Sequence, residues 1–288
     1  NIIGTIIFSI AAIVMFKVFF VEMGAGMITQ TEISLVHTIF NIGTTVLLFP
    51  FSDMIIKLAK KLEKEDDSEK DESRVLLDER MMETPGIALQ SAVSEVMRMG
   101  SIVMRTMDKA REVMFTKDYQ LEIKEEEQTV DRLCSGINNY VIKLSSLSLN
   151  EKEHQHVASI LQILSDIERV SDYCENISEF AETLTERKAV FTEIGTKEMR
   201  EMIETCADSF KYAVEAFTEN DKDKAMKVIE KESQADDLEI RLRTEHMKRL
   251  ANNQCNTDAG IVYLDALVAL ERISDHSRNI AEEVLTAS

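Results

Sequence analysis

The sequence has no tryptophan, and aromatic residues make up only 6% of it. Proteins that stack nucleic-acid bases need exposed rings, and this chain has few to offer. Proline occurs twice and glycine nine times in 288 residues, well below ordinary usage. Sheets joined by tight turns use both residues freely, so their scarcity points to long helices with short connections. Four cysteines, Cys134, Cys174, Cys206 and Cys255, lie far apart without a C-x-x-C. They read as reduced cytosolic thiols that fill the core, not as a disulfide framework. A phosphate-cradling Gly-rich loop, an H-E-x-x-H pair and a Ser/His/Asp or Cys/His nucleophile arrangement are all missing, so nothing argues for an enzyme.

Positive charge is also in short supply. The formal net charge is -19. Residues 1–62 carry Lys17, Lys57, Lys60 and Lys61 against Glu22, Glu32 and Asp53, a balance of +1, so the remainder carries −20. Such a surface repels polyanions, which excludes nucleic acid as a partner and favours metal cations or basic protein surfaces.

Long uncharged runs are confined to the start. Residues 2–20 are apolar around Lys17, and 33–58 form a long apolar segment interrupted by His37, Asn41 and Asp53, with Lys57 at its end. Each approaches the ~20 residues that span a bilayer. Lysines crowd the exit of the second run (Lys57, Lys60, Lys61, Lys64), so two membrane-spanning helices are expected with everything downstream in the cytoplasm. Residues 63–82, dense in mixed charge, are expected to be a linker.

The remainder repeats itself. Glu168-Arg-Val-Ser-Asp172, with Asn176-Ile177 and Glu179, recurs 103 residues later as Glu271-Arg-Ile-Ser-Asp275, with Asn279-Ile280 and Glu282. A fixed-period repeat sets the architecture. Caps and stripes give six helices: 85–116, 118–147, 151–186, 196–218, 221–251 and 257–285, with Asn150 and Glu153 as a capping box and Gly195-Thr196 as the midpoint. Apolar seams run through Ile160, Ile163, Ile167, Val170, Cys174, Ile177, Ala181 and Leu184, and through Tyr263, Ala266, Leu270, Ile273, Ser277, Ile280 and Val284. Such seams suit antiparallel bundles. The expected fold class is all-α, two membrane-spanning helices followed by two consecutive three-helix bundles, over 83–190 and 191–288.

Each copy places carboxylates four apart, on one helix face. Glu168/Asp172 and Glu271/Asp275 lie beside the seams. Glu127/Asp131 and Glu232/Asp236 form matching pairs on the second helix of each repeat, with Glu127 and Asp236 at positions where apolar residues are expected. Carboxylates there are costly unless paired or metal-bound, and helical bundles assemble all-oxygen metal sites from such pairs. The competing reading is plain ion pairing with Arg169 and Arg272; unduplicated pairs such as Glu204/Asp208 have the same spacing by chance. His276 has Tyr173 as its twin, which argues against an obligatory ligand.

The duplicated E-R-[IV]-S-D-x-x-x-N-I stretch in a six-helix repeat resembles PhoU, the phosphate-regulation family built from two three-helix bundles. Asn1-Ile-Ile-Gly-Thr5 and His37-Thr-Ile-Phe-Asn41 resemble the closing segments of bacterial sodium-dependent phosphate cotransporters that carry a PhoU-like domain. The Gln-Ser-rich transport signature of that family is missing. The resemblance implies a cytoplasmic regulatory domain on a multi-pass protein of the cell membrane, acting on phosphate and sodium transport. It also implies metal at Glu168, Asp172, Glu271 and Asp275, with Glu127, Asp131, Glu232 and Asp236 matching less tightly. The ion stays open among iron, manganese, magnesium and zinc, with calcium also suited to oxygen donors. Homo-oligomerisation is compatible with the reading. A chemoreceptor-like signalling protein and a di-metal carboxylate enzyme are the alternatives; the enzyme lacks Glu-x-x-His pairs within the repeated motif.

Overall fold

A computed structural model describes Thr38 and residues 73–116 and 118–286. Apart from Thr38, these belong to the compact unit Lys70–Ser288. A short 3-10 turn, Glu79–Glu83, precedes six helices: α1 Pro85–Thr116, α2 Gln120–Ser145, α3 Glu151–Glu186, α4 Glu193–Glu219, α5 Lys222–Ala251 and α6 Thr257–Thr286. Helices α1, α2 and α3 pack on one another, as do α4, α5 and α6; α3 lies against α6 and α1 against α4.

The membrane-spanning helices expected over residues 2–20 and 33–58 lie outside the described residues. Among the described residues, no helix is long and apolar enough to cross a membrane. Every helix carries charges along its length; α1 alone has Arg98, Arg105, Asp108, Lys109, Arg111 and Glu112 outside its buried positions. The fold class is therefore corrected to an all-α, six-helix architecture, and the multi-pass placement in the cell membrane is withdrawn with the spans that implied it.

Local chemistry sets the helix ends. Asn150 Oδ1 accepts from the Glu153 N–H at 3.0 Å while Glu153 Oε2 accepts from the Asn150 N–H at 2.8 Å, a reciprocal cap that satisfies two otherwise orphaned donors. Asp221 caps α5 by accepting from Asp223 and Lys224. Helix α2 starts two residues after the expected Asp118, because Tyr119 adopts a left-handed backbone with φ 73. The midpoint also differs from expectation. Gly195 lies inside the first turn of α4 and donates to the Thr192 cap at 3.1 Å, so the break spans Arg187 to Thr192.

The seams of α3 and α6 are buried at every position named from the sequence. At the α1/α4 crossing Gly100 permits close approach: a Cβ there would sit 3.3 Å from Val214 Cγ1. Between α3 and α6, buried Asp166 gathers His276 Nδ1 at 2.8 Å, Asn279 Nδ2 at 3.0 Å and Gln162 Nε2 at 2.9 Å. Within the charged stretch, residues 74–76 dock on the first bundle. The Leu76 N–H donates to Glu95 Oε2, Arg98 donates to the Arg74 carbonyl, and Val75 occupies the space a side chain at Gly136 would need.

Candidate metal centre

Helices α2 and α3 bring Glu127, Asp131 and Asp172 together, each with a carboxylate oxygen within 4.8 Å of the others. Helices α5 and α6 do the same with Glu232, Asp236 and Asp275. The spacing follows from helix geometry: residues four apart share a face, and the packed neighbour supplies the third acid. Six of the eight residues named from the sequence thus converge in two triads at equivalent positions of the repeat. Glu168 and Glu271 do not join them. They sit one turn before Asp172 and Asp275, half-buried beside the triads.

The acids repel one another. Burial raises the Glu127 carboxyl to about 7, with Asp131, Glu175 and Asp172 adding to the rise. Burial and then Asp172 raise Glu168, against a lowering by Arg169; burial and then Asp275 raise Glu271, against Arg272. Asp236 is raised by burial, Glu232 and Asp275 and lowered by Arg278. Arg169 lies 3.4 Å from Asp172, and Arg272 lies 3.0 Å from Asp275. The ion pairs considered as the competing reading therefore exist, but they engage one acid of each triad and leave the repulsion in place.

Two contributors escaped the sequence reading. Glu175 adds a further acid to the first cluster, whereas Arg278 reaches Glu232 at 2.7 Å and Glu282 at 2.8 Å in the second. These two residues are twins at the 103-residue offset, so the signal was there to be found.

The donor set fits a hard cation. Neither triad contains a nitrogen or sulfur donor, and carboxylate oxygens are the ligands of magnesium, calcium and manganese. Cys134 stands near the first cluster, but burial, followed by Glu168, Asp131 and Asp172, raises its thiol to about 11. It stays protonated and is a poor ligand at neutral pH. His276 is turned to Asp166. The Glu-x-x-His spacings that do occur, Glu151/His154 and Glu153/His156, lie in the first two turns of α3, outside both triads, which disfavours a di-metal oxidase.

The model of the PhoU domain family matches residues 96–181 and 199–284. The phosphate-specific transport system accessory protein PhoU homolog 1 of Thermotoga maritima is 26% identical over 195 residues, covering 67% of this chain and 83% of that protein. The putative inorganic phosphate export protein YjbB of Escherichia coli is 23% identical over 254 residues, covering 86% of this chain; the chain spans 47% of that protein's length. The crystal structure of PhoU from Pseudomonas aeruginosa shares the fold, with a TM-score of 0.65 at 22% identity over 69% of this chain and 96% of that one. With the family matched once on each three-helix bundle, the chain belongs to the PhoU domain family.

Proposed function

We propose that this chain is a PhoU-type regulatory component of inorganic phosphate transport, and that it works by holding divalent cations in its two carboxylate clusters. The observation that carries the reading is the convergence of three carboxylates at equivalent places in both repeats. The relatives named for phosphate transport support the process. Both clusters would otherwise repel phosphate; a bound cation inverts the local field and offers coordination positions to the anion. Glu127, Asp131 and Asp172, and Glu232, Asp236 and Asp275, are the proposed ligands, with Glu168 and Glu271 one turn away to complete the shell. Regulation, not turnover, is the proposed role, since the clusters present no nucleophile or proton-transfer pair.

The match to the exporter covers more residues than the unit Lys70–Ser288 contains, which supports a role tied to a transporter. We propose that the transport served is sodium-dependent, as the resemblance at residues 1–5 and 37–41 implies.

The test is metal content of the full chain purified without chelators, beside a variant with Asp131, Asp172, Asp236 and Asp275 each changed to Asn. The expected result is stoichiometric metal in the wild type, lost in the variant, with radiolabelled phosphate retained on dialysis only when metal is present. Metal content unchanged in the variant would return the carboxylates to a solvated face. Phosphate flux in cells carrying the intact protein, with and without a sodium gradient, tests the coupling.

A further inference from the structure

Each carboxylate cluster has one acid on the helix that packs against the other repeat. Asp172 of α3 belongs to the first cluster and Asp275 of α6 to the second, and α3 lies against α6. The residues that follow these acids, Tyr173 and His276, are twins at the 103-residue offset. They stack on each other with ring centres 5.9 Å apart.

That contact is gripped from one side. Asp166 of α3 is only 3% exposed. Its Oδ1 accepts from His276 Nδ1 at 2.8 Å and from Asn279 Nδ2 at 3.0 Å. Its Oδ2 accepts from Gln162, one turn back on α3, at 2.9 Å, which fixes the carboxylate against its own helix. His276 is the residue after Asp275, and Asn279 lies one turn beyond it, so Asp166 holds the turn of α6 that presents Asp275. No reciprocal grip exists, because the twin of Asp166 is the buried Ala269. A buried carboxylate is costly to hold, and the twin position shows that an alanine packs there.

A cation in the second cluster needs Asp275 of α6 set correctly against Glu232 and Asp236 of α5. Groups that hydrogen-bond behind metal ligands set their orientation, and losing one commonly costs about ten- to a hundredfold in affinity. Here the group behind the α6 acid comes from α3, the helix that supplies Asp172 to the first cluster. Resting on the cation-binding reading above, we propose that Asp166 is a positioning residue that couples the two clusters. A cation in the first cluster fixes α3, Asp166 carries that setting to α6, and the second cluster binds its own cation more tightly. By reciprocity the second cation tightens the first. Through-space electrostatics has the opposite sign, since a cation in one cluster weakens the negative field at the other.

The test is calorimetric titration with manganese of the full chain and of two single-cluster variants. Asp236→Asn leaves the first cluster, and Asp131→Asn leaves the second. The product of the two association constants of the intact chain, divided by the product of the two single-cluster constants, is the coupling factor. It is expected to be at least about fivefold. Asp166→Ala, placed in all three proteins, should bring it to one or below. Asp166→Asn keeps an oxygen for His276 and Asn279, and Gln162 can turn its own oxygen to the new amide, so the coupling should survive without the charge. If Asp166→Ala does not fold, Asn279→Ala removes one of the two bonds across the contact and should at least halve the factor.

A factor of one or below in the intact chain would overturn the proposal while leaving the cation-binding reading in place. So would a factor that Asp166→Ala and Asn279→Ala leave unchanged, or one that Asp166→Asn abolishes. Manganese taken up by none of the three proteins would overturn both.

Discussion

The two carboxylate clusters are built on equivalent residues yet carry different charge. Around Glu127, Asp131 and Asp172 stands Glu175; around Glu232, Asp236 and Asp275 the same helical position holds Arg278, 2.7 Å from Glu232. In the first cluster burial and repulsion raise Glu127 to about 7; in the second Asp236 is raised too, but Arg278 acts to lower it. Duplication preserved the geometry of the donors, and a single position changed how their charge is met. A cation entering the first cluster relieves repulsion directly, whereas one entering the second competes with Arg278.

The expected effect on metal affinity follows from that competition. In calorimetric titration of the full chain with manganese, the first cluster should bind at least tenfold more tightly than the second, a difference of about 1.4 kcal/mol. Arg278→Gln should tighten the second cluster by a similar factor, and Glu175→Arg should weaken the first. With both changes together the order should invert. Equal affinities that neither change moves would show that this position does not set the difference.

The repeats also differ in how each buries a glutamate at one shared position. Glu198 is clamped by Arg249 and accepts from the Tyr263 hydroxyl at 2.8 Å, deep enough that both charged side chains are almost fully covered. Its twin Glu95 pairs with Arg98 and the Leu76 N–H, and Arg98 is more open to water. Glu198→Ala strands a buried guanidinium and a buried phenol, and should cost about 3–5 kcal/mol. Glu95→Ala, which leaves Arg98 its bond to the Arg74 carbonyl, should cost roughly 1–3 kcal/mol. Urea unfolding midpoints of the two variants would rank them, and equal losses would remove this distinction between the bundles.

Packing offers a smaller contrast. Gly260 lies where α6 meets α5, and a Cβ there would stand 2.9 Å from His246 Nε2 and 3.0 Å from Leu250 Cδ2. The ring of His246 stacks on Tyr263 at 4.4 Å and cannot give way freely. The twin position in the first bundle accommodates Val157. Gly260→Ala should therefore destabilise by about 1–3 kcal/mol, read as a fall in melting temperature.

What the sequence revealed depended on how locally each feature is determined. The α3 and α6 seams and the Asn150 cap follow from residues a few positions apart, and they were legible. The repeat doubled a weak signal in the acids, and six of the eight come together. The division of those acids was not legible: which of Glu168 and Asp172 reaches the triad depends on how α3 is set against α2, a tertiary quantity. Asp166 was overlooked for a related reason. Its twin is Ala269, so a search for duplicated residues passes over a buried acid that joins the two repeats. The left-handed Tyr119 left no local trace, since nothing in its side chain favours a positive φ. The membrane spans were inferred from apolar length at residues 2–20 and 33–58, and none of the described helices supports them.

The smallest expected effect separates the clusters by pH. The Glu127 carboxyl titrates near 7 in the folded protein and near 4.5 when unfolded, so between those values the folded state holds more protons. Stability contributed by the protonated form is complete below pH 4.5 and is lost as pH rises through 7. Metal-free protein should accordingly melt a few degrees lower at pH 8 than at pH 5.5 (roughly the shift that 1 kcal/mol gives a chain of this size). Glu127→Gln should flatten that part of the profile. Bound divalent cation should flatten it too, because the metal requires the deprotonated carboxylate and replaces the proton. A slope that survives Glu127→Gln would place the titrating group elsewhere and erase the electrostatic difference between the two clusters.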